Sequence, residues 1–242
     1  MNLEASVFGA QMRDHLAAAE ERNAATLDAV TDRILDVVRN DLRIHVTGTG
    51  HSSALVLEAF YRAGGLACVN PITHPGLVPL NGGIASTVIE RTAELAEVLL
   101  AQTRPERGEV AVVFSSSGAN PLPVALARGL REAGVWLVAM SSRPHLEAAP
   151  ARADVKLDEL ADALLDTGVP PGDAAFELDG ARTAPLSSLT SVFLWNLILA
   201  RVVDRARQDG VELPLWTSAN VPGGDERNAD LLARYRPRIP LL

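Results

Sequence analysis

The apolar run Val110–Phe114 and the polar loop that follows it constrain the fold more than any other part of this chain. The run is rich in β-branched residues and lacks polar alternation, which is typical of a strand buried on both faces of a parallel sheet. Residues 115–120 then supply three serines, a glycine, an alanine and an asparagine, and apolar residues recur at helical spacing over 123–130. This order of strand, loop and helix predicts an α/β fold built around a parallel sheet.

The serine-rich loop stands where a helix is predicted to begin. Unpaired backbone N–H groups and the positive end of the helix dipole favour an anion there, and the hydroxyls add further donors suited to a phosphate. Serine is also a preferred N-cap residue, but a cap requires one hydroxyl rather than three. The loop is therefore predicted to bind phosphate through Ser115, Ser116, Ser117, Gly118 and Asn120.

A second strand, predicted near 43–47, runs into the polar segment 48–53 and then into another helix. The carboxyl ends of parallel strands meet at one edge of a sheet, and ligands of open α/β sheets bind at that edge. The two loops are therefore expected to share one site. To this site the second loop adds Gly50, His51, Ser52 and Ser53, and the strand predicted near 135–140 adds Ser141 at its end.

The rest of the chain continues the alternation of strands and helices. Further strands are predicted near 66–70 and 163–166, and helices near 52–63, 86–102, 121–133 and 186–208. Apolar residues at helical spacing predict one long amphipathic helix over about 4–39, with a break near Gly9. Residues 1–40 are assigned to a helical segment that packs on the domain or on a partner subunit. Residues 41–242 are assigned to one domain with a C-terminal loop and helix.

Composition and charge exclude several classes of protein. The formal charge of −8 argues against nucleic-acid binding, which depends on basic surface. The single cysteine, Cys68, lies in an apolar stretch and is interpreted as a buried, inert thiol of a reducing compartment. No secretory signal and no apolar run long enough for a membrane span is visible. A cytoplasmic protein without nucleic-acid or membrane partners is the resulting expectation.

Four motifs together resemble the SIS (sugar isomerase) domain family, and within it an uncharacterised bacterial subfamily related to phosphoheptose isomerase. They are GTGHSSALVLEAFYRAGG at 48–65, FSSSGANPLPVALA at 114–127, GVPPGDAAFELDG at 168–180 and TSANVPGGDERNADLLARY at 217–235. The resemblance implies a three-layer αβα sandwich with a five-stranded parallel sheet, of flavodoxin-like or Rossmann-like type. It also implies a sugar phosphate as ligand, held by the serine-rich loop, and assembly as a homodimer or homotetramer.

The resemblance leaves the chemistry open, because SIS domains serve as aldose–ketose isomerases, as an etherase and as ligand-sensing modules of transcription regulators. Phosphoheptose isomerases carry a zinc-binding His and Glu on the helix after the first loop. The matching positions here are Glu58 and Arg62, so the metal pair is absent there and neither a metal nor another cofactor is predicted.

Two residues are the candidates for proton transfer in an isomerase, which requires a base for a carbon-bound proton and acids for the oxygens. Glu58 is the candidate base, and its alternative is a helix ion pair with Arg62. His51 is the candidate acid, because a helix N-terminus favours a neutral imidazole that can polarise a carbonyl. Its alternative is a structural hydrogen bond.

Several other polar residues and two loops are further candidates for this site. The loops 166–173 and 216–226 are rich in Gly and Pro and are interpreted equally as functional loops or as turn clusters. Glu90, Asn220 and Asp225 are possible contributors, and residues near Ser187 are helix caps or close the site from a symmetry mate. His45 is interpreted as a core group, and His15, His74 and His145 as surface or loop residues.

The sequence thus predicts a protein that binds a phosphorylated sugar and acts as a metal-free aldose–ketose isomerase. A non-catalytic phosphosugar sensor and an etherase-like lyase are the alternatives.

Overall fold

The computed structural model describes residues 5–242, and a five-stranded parallel sheet forms its centre. The strands are β1 (Ile44–Gly48), β2 (Val69–Pro71), β3 (Val110–Phe114), β4 (Trp136–Ser141) and β5 (Ala163–Asp166). They lie in the order β2-β1-β3-β4-β5, so the direction of winding reverses between β1 and β3. The predicted α/β class and parallel sheet are confirmed, and the two predicted loops leave the sheet side by side at this reversal.

The sheet is buried on both faces, as the apolar run of β3 predicts. Successive side chains of a strand point to opposite faces, so Val112 and Phe114 pack in one core and Ala111 and Val113 in the other. The first core includes helices α2 (Ala24–Arg39) and α9 (Ser187–Asp209), and the second includes α5 (Leu95–Thr103) and α6 (Pro121–Glu132). These are the three layers that the resemblance implies.

Six further α-helices are described. They are α1 (Ala5–Arg22), α3 (Ser53–Ala59), α4 (Gly83–Ile89), α7 (Arg143–Ala148), α8 (Leu157–Leu160) and α10 (Gly224–Tyr235). The predicted helix 86–102 is in fact two helices, α4 and α5, separated by a turn, and the predicted helix 52–63 ends at Ala59. Within residues 5–242, no helix has the length and apolarity that crossing a bilayer requires.

The N-terminal helix breaks at Asn23 rather than near Gly9, which lies inside α1. The buried amide of Asn23 donates to the carbonyl of Asp166 at 2.8 Å and accepts from the Asp166 N–H at 2.8 Å. This pair of bonds ties the joint between α1 and α2 to the end of β5. Leu27, Val30 and Ile34 of α2 are fully buried in the core of the same chain. The start of the predicted helix at residue 4 lies outside the described residues.

A β-hairpin lies between β5 and α9, where the sequence indicated only a loop. Its strands are β6 (Ala174–Leu178) and β7 (Ala181–Pro185), paired antiparallel. Phe176 packs against Phe8 on α1 in a T-shaped contact, with ring centroids 5.9 Å apart. The hairpin therefore sits beside the N-terminal helix and apart from the main sheet.

A buried ion cluster joins the amino ends of β1, β2 and β3. Arg43 donates through Nε to Glu109 Oε1 at 2.6 Å, and His45 Nε2 lies 2.7 Å from Glu109 Oε2. Asn70 closes the cluster, with its amide 3.0 Å from His45 Nδ1. Burial raises the pKa of Glu109, but the hydrogen bonds and charges of His45 and Arg43 outweigh it and hold the pKa below its ordinary value. His45 is thus a core group, as expected.

Candidate functional site

A cavity of about 400 Å³ opens at the carboxyl ends of β1 and β3. The two loops predicted from the sequence form half of its wall, and α4 with its flanking residues, α7, Asp173 and the start of α9 complete it. The lining residues are Thr49, Gly50, His51, Ser52, Pro79, Gly83, Ser86, Thr87, Glu90, Ser115, Ser116, Ser117, Asn120, His145, Asp173 and Ser187.

The serine-rich loop owes its shape to Gly118, which has φ +57°. A Cβ at this position would lie 2.5 Å from Leu146 Cδ2, so a side chain is excluded on two grounds. The Gly118 N–H donates to Ser115 Oγ at 3.2 Å, which closes the loop on itself. Gly118 therefore packs against Leu146 and sets the shape of the loop, while the serines line the cavity.

The free backbone N–H groups of this loop differ from those that the sequence indicated. The first turn of α6 offers no free N–H, because Pro121 and Pro123 have none and the Leu122 N–H donates to the Glu90 carbonyl at 3.1 Å. The backbone N–H groups of Ser116 and Ser117, by contrast, have no acceptor among residues 5–242. The loop itself, and not the helix end, therefore supplies the donors, and the helix contributes its dipole.

The first loop is compact because Gly48 ends β1. A Cβ on Gly48 would lie 2.5 Å from the carbonyl oxygen of Ser52, so the chain can fold back into a short 3₁₀ turn over Gly50–Ser52. Ser53 Oγ donates to the Gly50 carbonyl at 2.7 Å. This turn leaves His51 exposed at the wall of the cavity.

Two carboxylates line the cavity, and their hydrogen bonds separate their roles. Both oxygens of Asp173 are occupied: Oδ1 accepts from the N–H groups of Leu186 and Ser187, and Oδ2 accepts from the Ser187 hydroxyl at 2.7 Å. Asp173 thereby caps α9. Glu90 accepts one bond, from Thr49 Oγ1 to its Oε2 at 3.1 Å. Glu90 is therefore the carboxylate with an oxygen left for a ligand.

The two histidines of the cavity differ in the same way. His145 Nε2 accepts from the Gly172 N–H at 3.1 Å, which fixes the ring against the loop before the hairpin. The imidazole of His51 makes no hydrogen bond with the described residues. His145, expected to be a surface or loop residue, lies on α7, which directs it to the wall of the cavity.

Several predicted site residues lie elsewhere. Glu58 of α3 pairs with Arg62, four residues along the chain and beyond the end of that helix, and it does not line the cavity. This matches the alternative of an ion pair with Arg62. Ser53 and Gly118 act on loop shape, as described above, and Ser141 is fully buried. Asn220 and Asp225 belong to the C-terminal loop and to the first turn of α10, and they do not line the cavity either.

The structure adds cavity residues that the sequence did not single out, namely Thr49, Ser86, Thr87, Asp173 and His145. They come from segments whose position depends on the packing of α4, α7 and the hairpin. Ser187 faces the cavity of its own chain, so the site needs no symmetry mate to place it. Cys68 is fully buried, and burial raises the pKa of its thiol to about 12.

The order of the sheet defines a doubly wound α/β protein, and its cavity lies at the reversal, where ligands of such folds bind. A family model described as the SIS domain matches residues 7–142. A UPF0309 protein of Listeria innocua is 34% identical over 214 residues, which cover 87% of each chain. The chain therefore belongs to the SIS-domain family, and the resemblance drawn from the four motifs is confirmed.

Solved structures show the same fold at low sequence identity. Phosphoheptose isomerase from Neisseria gonorrhoeae is 18% identical, with a TM-score of 0.56, and the match covers 81% of this chain and 96% of that one. The sugar isomerase domain of an RpiR transcription factor from Sphaerobacter thermophilus is 15% identical, with a TM-score of 0.50 and a match that covers 98% and 99%. At this identity the likeness concerns the fold.

Proposed function

We propose that the protein binds a phosphorylated sugar and interconverts its aldose and ketose forms. The observation that carries the proposal is the placement of Glu90, a carboxylate with one free oxygen, in the same cavity as His51 and the serine-rich loop. The phosphate would bind the N–H and hydroxyl groups of Ser116 and Ser117. Membership of the SIS-domain family and the solved phosphoheptose isomerase fold support a phosphosugar as ligand.

The chemistry requires a proton to leave C2 of the aldose and to arrive at C1 of the ketose. Glu90 would take the C2 proton, which leaves an enediolate whose negative charge lies on the oxygen at C1. Glu90 would then return the proton to C1. A second proton moves from the oxygen at C2 to that at C1, and His51 is the group that would carry it. Positioned acids and bases of this kind contribute about 10²–10⁴-fold to rate.

Glu58 remains the base predicted from the sequence. It would need the cavity of another subunit to reach a sugar, because in its own chain it pairs with Arg62. The variants described in the Discussion separate the two carboxylates.

A screen of hexose, heptose, pentose and amino-sugar phosphates tests the proposal. Thermal shift identifies the ligand, because a ligand present at 100 times its dissociation constant stabilises the folded chain by about 2.7 kcal/mol. The best ligand is then incubated with the protein in deuterated water, and exchange of its C2 proton is followed by NMR. We expect exchange together with formation of the isomer.

The two alternative functions give different results in this screen. Binding without any exchange would replace the isomerase by a phosphosugar sensor. Exchange with loss of a substituent, and without an isomer, would indicate a lyase. Failure of every sugar phosphate to shift the melting temperature, with a shift by the unphosphorylated sugar, would contradict phosphosugar binding altogether.

The serine-rich loop can be tested by binding alone. Replacement of Ser116 and Ser117 by alanine is expected to weaken binding of the sugar phosphate by about 1–3 kcal/mol, because two hydroxyl hydrogen bonds to a charged group are lost. Calorimetry measures the change. Ser188→Ala is the control, since Ser188 is on α9 but does not line the cavity. Equal affinities for the double variant and the control would remove this loop from the site.

A further inference from the structure

The cavity has an unfavourable charge for the ligand proposed above. Within the described residues neither lysine nor arginine lines it, whereas the carboxylates of Glu90 and Asp173 do. The chain as a whole carries a formal charge of −8. A phosphate monoester adds up to two further negative charges at neutral pH. A cation near the serine-rich loop would offset this repulsion.

Arg152 is such a cation. Its Nη1 donates to Oδ1 of Asn120 at 2.9 Å, and Asn120 is the last residue of the serine-rich loop and lines the cavity. No carboxylate among residues 5–242 lies within ion-pair distance of Arg152. A guanidinium has five N–H groups in a planar fork that suits phosphate oxygens, and one bond to Asn120 leaves the others available.

The segment that carries Arg152 is held against the serine-rich loop. Asp154 accepts two bonds from Arg128 of α6, at 2.7 and 2.8 Å. Further along, the Leu157 N–H donates to the carbonyl of Gly118 at 2.9 Å. The Lys156 ammonium donates to the Ala149 carbonyl at 3.0 Å. These contacts fix the backbone on both sides, so the long side chain of Arg152 starts from an ordered base beside the phosphate-binding donors.

We propose that Arg152 binds the phosphate group of the sugar phosphate and makes the site selective for phosphorylated over neutral sugars. Asn120 holds the guanidinium at the rim of the cavity. The phosphate then accepts hydrogen bonds from the N–H groups that do not donate to Asn120. The inference rests on the proposed function and adds to it the source of the positive charge. Arg152 is a binding residue and takes no part in proton transfer.

The test measures binding of inorganic phosphate by isothermal titration calorimetry at low and at moderate salt. In Arg152→Gln the amide keeps a donor for Asn120 but carries no charge. We expect its dissociation constant for phosphate to rise about tenfold at low salt, the range of a charge-assisted hydrogen bond. The dependence of affinity on salt should shrink as well, because less charge is there to be screened.

The control is Arg182→Gln, which removes the same charge from the exposed hairpin, where Arg182 pairs with Glu177. Its dissociation constant is expected to stay within about twofold of the wild type. Equal phosphate affinities for Arg152→Gln and Arg182→Gln would overturn the assignment of Arg152 and leave the proposed function standing. Absence of phosphate binding by the wild-type chain, with neutral sugars still bound, would overturn both.

Discussion

Replacement of Glu90 by glutamine is expected to lower the rate of C2 proton exchange by about 10²–10⁴-fold while affinity for the sugar phosphate is kept. Glutamine has the same shape and can still accept the bond from Thr49 Oγ1, but it cannot take up a proton. The bond from the Leu122 N–H to the carbonyl of residue 90 is made by the backbone and is unchanged. NMR in deuterated water gives the exchange rate, and calorimetry gives the affinity.

Glu58→Gln is the matched control, since it makes the same chemical change on α3 outside the cavity. It is expected to cost only a few tenths of a kcal/mol in helix stability through its pair with Arg62, and to leave exchange at the wild-type rate. The reverse outcome, in which Glu58→Gln abolishes exchange and Glu90→Gln does not, would return the role of base to Glu58. That result would also require a second subunit to bring Glu58 to the ligand.

Replacement of Glu109 by alanine is expected to destabilise the fold by about 3–5 kcal/mol, because it leaves the guanidinium of Arg43 buried without its partner. This is a large part of the stability of an ordinary domain. Glu106→Ala removes the other carboxylate near Arg43, but Glu106 is 66% exposed, and its loss is expected to cost less than about 1 kcal/mol. Urea unfolding of both variants measures the difference, and similar stabilities would show that the cluster contributes little.

The same cluster predicts a dependence of stability on pH. The pKa of Glu109 is lower in the folded chain than its ordinary value of 4.5. The stabilisation is therefore complete above the pKa of the unfolded chain and is lost as pH falls through the lower pKa of the folded chain. The stability difference between wild type and Glu109→Ala should accordingly narrow in acid.

Features that depend on local pattern could be predicted from the sequence, and β3 is the clearest of them. An apolar run followed by Ser, Gly and Asn and then by helical spacing specifies strand, loop and helix within twenty or so residues. The break at Asn23 could not be predicted in this way. Nothing local marks it, because the amide bonds the backbone of Asp166, which lies far along the chain.

The same distinction applies to the cavity. His51 and the serine-rich loop follow directly from strand ends, so their place at the rim could be anticipated. Glu90 follows the end of α4 in a turn where the sequence indicated the first turn of one helix, and its hydrogen bond with Thr49 sets its direction. His145 and Asp173 reach the wall only through the packing of α7 and the base of the hairpin.

The bonds of Asp173 have a consequence for how this architecture can vary. The chain leaves for the hairpin at Asp173 and returns at Leu186, and these two points are joined by hydrogen bonds of 2.9 and 3.2 Å. The segment between them is thus an excursion with a closed base, and changing the length of such a loop costs little free energy. The chain can exchange β6 and β7 for another structure without moving α9. Evolution or design can therefore change the surface beside α1 while Asp173 and Ser187 keep their places in the wall of the cavity.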